Sequence, residues 1–137
     1  MSGERQEPRG NLVVVPDVPL LGLDGVDLRY IQIDFQTRLQ FGDSGIVIGT
    51  PFSVRTERGH YALDPERPAE LGPLLAIYPS TLASGVIEAD LTLRLTFQSG
   101  TSLEVPPDPS YESWQVTGPA SRLIVCPPGG GNLVVWS

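Results

Sequence analysis

The chain has 137 residues, 40% of them apolar and 18% charged, with a formal net charge of −7. That length is enough for one domain with its own core, and the balance of apolar and charged residues is that of a folded chain, not a disordered one. All nine basic residues are arginines, and there is a single histidine and a single cysteine.

These absences exclude several chemistries. Without lysine there is no Schiff base, no pyridoxal attachment and no phosphate-loop lysine. One histidine and one cysteine fall short of an ordinary zinc site, so neither a metal nor another cofactor is expected. Scattered arginines on an acidic chain argue against a nucleic-acid partner, because phosphate binding needs a concentrated basic face. The longest aliphatic run, Leu12–Val15, is far too short to span a membrane, and the N-terminus has no apolar stretch of signal-peptide length. With one cysteine and therefore no internal disulfide, a cytoplasmic location is expected.

Residues 1–10 are polar, rich in Gly, Pro and mixed charge, and read as a disordered tail ahead of a single β-rich domain over 11–137. Leu12–Val15, closed by Pro16, reads as a brief edge strand, and Pro16–Gly25 as a loop. Leu28–Ile33 and the alternating Arg38-Leu39-Gln40-Phe41 read as strands, joined through the turn FGDSG to Ile46–Ile48. Phe52–Arg55 and Tyr61–Leu63 continue the meander around the turn ERGH.

A helix is expected over about 67–77, started by Asp64-Pro65 or Arg67-Pro68. Its apolar stripe would be Leu71, Leu74, Leu75 and Tyr78, with a kink at Pro73. Leu91, Leu93, Leu95 and Phe97 then alternate with Thr92, Arg94 and Thr96, the cleanest strand pattern in the chain. Leu103 and Val105 return after Gly100. The loop PPDPSYESW follows, and then short strands at Gln115–Thr117, Leu123–Cys126 and Leu133–Trp136, the last two joined by PPGGGN.

The chain also says nearly the same thing twice. DFQTRLQFGDSGIVIGTP over Asp34–Pro51 parallels DLTLRLTFQSGTSLEVP over Asp90–Pro106. Asp34/Asp90, Arg38/Arg94, Leu39/Leu95 and Phe41/Phe97 fall in step, and one deletion brings Gly45/Gly100 and Pro51/Pro106 into line. The expected fold class is therefore α+β, mainly antiparallel β, built from two pseudo-repeated hairpin units (about 26–63 and 84–117) with one helix packed on the sheet. A β-sandwich or a strongly curved half-barrel is the alternative.

No catalytic constellation stands out. Gly129–Gly131 lacks the lysine and helix of a phosphate loop and reads as a hairpin turn. His60 and Cys126 are the only residues from which a nucleophilic pair could be built, and Cys126 ends an apolar strand as buried structural cysteines do. Glu88 with Asp90, or Asp108 with Glu112, would suit glycoside chemistry only across a cleft. Candidate binding residues are Arg38 and Arg94, as paired anion sites or as an ion-pair device with Asp90 and Asp34. To these are added Asp108, Tyr111, Glu112 and Trp114 in the proline-rich loop, where prolines limit the free loop's states. The competing reading folds Tyr111 and Trp114 into the core.

The pattern PPD-P--YE-W--TGP followed by C-PGGG-L-VW resembles a family of small uncharacterised actinobacterial proteins. It is carried here by Pro106 to Pro109, Tyr111, Glu112, Trp114, Thr117 to Pro119, Cys126, Pro128 to Gly131, Leu133, Val135 and Trp136. The resemblance runs from about Leu21 to the C-terminus and implies a shared fold but no activity. The reading is of a non-enzymatic binding protein, immunity-like or regulatory, that meets a basic protein surface. The alternatives are a ligand pocket or enzyme site lined by Arg38, Arg94, Tyr111 and Trp114, and a self-associating structural subunit.

Overall fold

The computed structural model describes residues 18–136 apart from 21, 120 and 121. The tail at 1–10 and the edge strand expected at Leu12–Val15 lie outside the described residues. The elements in chain order are β1 (Val18–Pro19), β2 (Leu28–Ile33), β3 (Thr37–Phe41), β4 (Ser44–Ile48), β5 (Phe52–Thr56), β6 (Gly59–Leu63), a 3-10 turn (Pro68–Glu70) and α1 (Gly72–Leu75). After the helix come β7 (Leu82–Ile87), β8 (Leu93–Phe97), β9 (Ser102–Val105), β10 (Trp114–Thr117), β11 (Leu123–Val125) and β12 (Val134–Trp136).

The strands form two six-stranded sheets, β12-β11-β10-β4-β3-β2 and β1-β7-β8-β9-β5-β6. Every pairing is antiparallel. Each sheet is built round a three-strand meander, β2-β3-β4 in one and β7-β8-β9 in the other. The strand that follows each meander crosses over: β5 pairs with β9, and β10 pairs with β4. The sheets bury one shared core, in which Leu39, Phe41, Ile46 and Ile48 meet Leu93, Leu95, Leu103 and Val105. The rings of Phe41 and Phe97 stack across it at 6.2 Å. Period-two side-chain alternation explains why: β3 and β8 both alternate buried and half-buried positions, and apart from Thr37 the buried set is apolar.

The two meanders also touch where they begin. Leu28 N–H donates to the Ser80 carbonyl at 2.8 Å, and Leu82 N–H donates to the Val26 carbonyl at 3.0 Å. Both first pairings carry a register shift, between Leu28 and Tyr30 and between Leu82 and Ser84.

Several expectations are corrected. The helix of 67–77 shrinks to a 3-10 turn and the four residues of α1, because Pro73 has no N–H to bond back to residue 69 and so breaks the helix from the turn before it. Its buried stripe is Leu71, Leu74 and Ile77, whereas Leu75 and Tyr78 are about half exposed. Val18–Pro19, expected as loop, pairs with β7. Leu91 is not a strand residue: it takes a φ of +72° in the turn before β8. Gly45 and Gly100 are not equivalent, since Gly45 pairs with Gln40 inside β4 while Gly100 sits in a turn at φ +95°. The turn glycine of the first hairpin is Gly42, at φ +56°.

Candidate functional site

One end of the molecule collects the features that packing does not require. The turn between β2 and β3 is built by Asp34, whose carboxylate accepts the Gln36 N–H at 2.7 Å. The turn before β8 is built in the same manner, with Asp90 accepting the Thr92 N–H at 2.9 Å. Short carboxylates fold the backbone this way, which accounts for both aspartates. Between each aspartate and its bonded amide stands one apolar residue. In the second turn Leu91 goes inward and packs against the core. In the first turn Phe35 points out and is 86% exposed.

The proline-rich loop lies beside Phe35. Gly49 N–H donates to the Ser113 carbonyl at 2.9 Å. A Cβ at Gly49 would lie 3.3 Å from both the Gln36 amide nitrogen and the Glu112 carbonyl, so the residues after Phe35 and Tyr111 close on the same glycine. Tyr111 is 68% exposed, and Asp34, Asp90 and Glu112 are exposed as well. Asp108 is spent inside the loop: its carboxylate accepts from the Ser110 and Tyr111 N–H groups, and its carbonyl accepts from Gly129. The Gly-rich stretch supports the loop, with Gly129, Gly130 and Gly131 at φ +76°, +75° and +73° and Gly130 closing against Pro107. Beneath this end the hydroxyls of Thr37 and Thr50 are buried with no hydrogen-bond partner.

Trp114 is not part of the surface. It is 1% exposed, and its indole N–H donates to the Leu91 carbonyl at 3.0 Å. The loop's two aromatics therefore part company, Tyr111 outward and Trp114 into the core, because Trp114 opens β10 on its inward-facing side.

The two arginines are not brought together either. Strand alternation puts Arg38 and Arg94 on the outer faces of opposite sheets. Arg94 pairs with Glu104 on β9 and with Glu88, whose carboxylate oxygen lies 2.8 Å from Nε and 2.7 Å from Nη2. The ion pairs expected between Asp34 and Arg94 and between Asp90 and Arg38 are absent, since each aspartate is turned into its own loop. Arg38 instead donates to the Gln40 side chain at 3.3 Å. A pocket lined jointly by Arg38, Arg94, Tyr111 and Trp114 does not exist.

His60 is exposed on β6, in the opposite sheet from the β10-β11 pair that Cys126 adjoins. Cys126 is fully buried beside the Leu91 carbonyl. Burial pushes its thiol up, the Ser113 hydroxyl offsets part of this, and the Asp90 charge adds to the rise. A thiol kept protonated is a poor nucleophile, so no Cys-His pair forms. Among the described residues no cluster of three or more histidine, cysteine, aspartate or glutamate side chains could hold a metal. Nor is any helix there long and apolar enough to cross a membrane. A cleft of about 600 Å³ opens between the β5-β6 and β8-β9 turns and α1, lined by Thr56, Arg58, Tyr61, Pro73, Ser99 and Thr101. It includes none of the expected site residues.

Residues 19–137 match the model of a family of unknown function, DUF6188, and the chain belongs to that family. No curated protein and no solved structure matches it.

Proposed function

We propose that this chain is a non-enzymatic binding protein, immunity-like or regulatory, acting through a protein–protein interface centred on Phe35 and Tyr111. The observation that carries the reading is the 86% exposure of Phe35 at the same end as the exposed Tyr111. Aromatic residues held on rigid turns are the usual anchors of protein interfaces, each adding large contact area at little entropic cost. Leaving such a ring in water gains the free protein nothing.

A comparison of the two halves supports this. We read the meanders β2-β3-β4 and β7-β8-β9 as pseudo-equivalent units, with β5 and β10 as exchanged fourth strands. Matching register shifts, matching aspartate turns and the reciprocal Leu28 and Leu82 hydrogen bonds support that reading. Phe35 and Leu91 then occupy one position in two copies. Leu91 adopts a left-handed backbone that costs about 1–3 kcal/mol in order to turn its side chain inward. Phe35 is not among the residues with positive φ and stays outside. Folding alone would favour hiding the larger ring, so its exposure points to a partner.

The part of the partner surface that meets Phe35 and Tyr111 is basic. Asp34, Asp90 and Glu112 are exposed in the turns and the loop that carry this end, and the chain as a whole is at −7. Opposite potentials speed encounter and are screened by salt beyond about 8–10 Å. The test is affinity capture from the source organism with the wild-type chain and a Phe35→Ala/Tyr111→Ala variant, then calorimetry on the purified partner at two salt concentrations. The expected result is at least a tenfold loss of affinity in the variant and weaker binding in high salt, as for hot-spot truncation of about 2 kcal/mol. A partner bound equally by both proteins, or turnover of a small molecule, overturns the proposal.

A further inference from the structure

We infer that Arg38 is a carboxylate-binding group, and that the partner presents an acidic side chain to it on the outer face of the sheet β12-β11-β10-β4-β3-β2. This extends the binding reading above and concerns a separate group on the same sheet.

Arg38 and Arg94 stand one residue before Leu39 and Leu95 in β3 and β8, yet their surroundings differ. Arg94 has Glu104 opposite it on β9 and Glu88 beside it. Arg38 has Val47 opposite it on β4 and Gln32 opposite it on β2. The adjoining row on one side is Tyr30, Gln40, Gly45 and Thr117, again with no carboxylate, and on the other side the Asp34 carboxylate accepts the Gln36 N–H within its own turn. In an acidic chain with more carboxylates than arginines, a half-buried arginine with no carboxylate opposite it on either neighbouring strand is charge left open.

The guanidinium is also held in place. Gln40 accepts from Nη1 through Oε1, and its amide is anchored by donating to the Gly42 carbonyl at 2.9 Å. The group lies over Gly45, where a Cβ would collide with Nη1. Thr117 crosses the same glycine, its hydroxyl bonded to both the N–H and the carbonyl of Gly45. Gln40 occupies one nitrogen, and the remaining N–H donors have no protein acceptor among the described residues. A fork fixed in this way matches a carboxylate in bidentate geometry, and less entropy is lost per bond than with a free side chain. A polyanion is disfavoured by the chain's charge, and the flanking Tyr30 and Val47 suit a carboxylate carried on an apolar protein surface.

The experiment follows arginine Nε–H signals of the full chain by NMR during titration with sodium acetate, with sodium chloride as control, and in parallel with the extended peptide acetyl-Val-Glu-Val-amide. Exposed Arg55 and Arg58 serve as internal references. The expected result is a saturating shift at Arg38 with half-saturation about fivefold below any response of Arg55 or Arg58. The peptide should saturate at lower concentration than acetate. Arg38→Gln should remove the response, and Gly45→Ala should weaken it by displacing the guanidinium while the fold, checked by its melt, persists. Equal, non-saturating shifts at all three arginines would overturn the site. A peptide no tighter than acetate would overturn the protein-borne origin of the carboxylate. Either failure leaves the Phe35 and Tyr111 interface standing, because acetate does not probe it.

Discussion

Replacing Phe41 and Phe97 by leucine, singly and together, tests how the two sheets are joined. Both rings are 1% exposed and stack at 6.2 Å with planes 26° apart, one from each sheet. Truncation of either to alanine would cost about 3–5 kcal/mol, and both together would consume most of the 5–15 kcal/mol that holds a domain of this size. Leucine keeps most of the buried apolar area, so each single change should cost about 1–2 kcal/mol. The double variant should lose less than the sum, by about 0.5–1.5 kcal/mol, because the aromatic pair is removed only once. Urea melts with a common slope supply the three differences. Additivity within about 0.3 kcal/mol would mean that the rings do not pack against each other, and the face-to-face arrangement of β3 and β8 would be refuted.

Two further outcomes are expected. The raised thiol pKa of Cys126 means that the folded state keeps a proton which the unfolded chain loses above its ordinary value of about 8.5. Its contribution is complete below that pH and declines as pH rises through the folded pKa, so wild type should lose more stability than Cys126→Ala in melts on the alkaline side; parallel losses would contradict this. Thr37→Val should be neutral or stabilising by up to about 1 kcal/mol in the same melts, since the buried hydroxyl has no partner to lose. A loss above that size would mean that the hydroxyl is in fact bonded.

Strand content was legible because period-two alternation survives wherever one face is buried: Leu39 and Phe41, and Leu93, Leu95 and Phe97, are all core. The helix was misread because spacing at 71, 74, 75 and 78 ignores what Gly72-Pro73 does to a short segment. Pairing Gly45 with Gly100 failed because a strand glycine that makes room for Arg38 looks, in sequence, like a turn glycine. The exposed aromatic at the site was legible in Tyr111 but not in Phe35. Phe35 and Leu91 each directly follow their aspartate, and the positive φ of Leu91, which turns it inward, leaves no mark in the sequence. In sequence Trp114 suits either the loop surface or the core, and burial of its ring at the start of β10 decides for the core.

The central claim is that Phe35 serves a partner and not the fold, and Phe35→Ser measured in two assays tests it most directly. An 86% exposed ring contributes little to folding, so stability should stay within about 0.5 kcal/mol of wild type, as for ordinary surface substitutions. Affinity for the captured basic partner should fall at least tenfold, in line with loss of an interface anchor. A variant that melts like a core truncation, or one that binds the partner as tightly as wild type, would contradict the account.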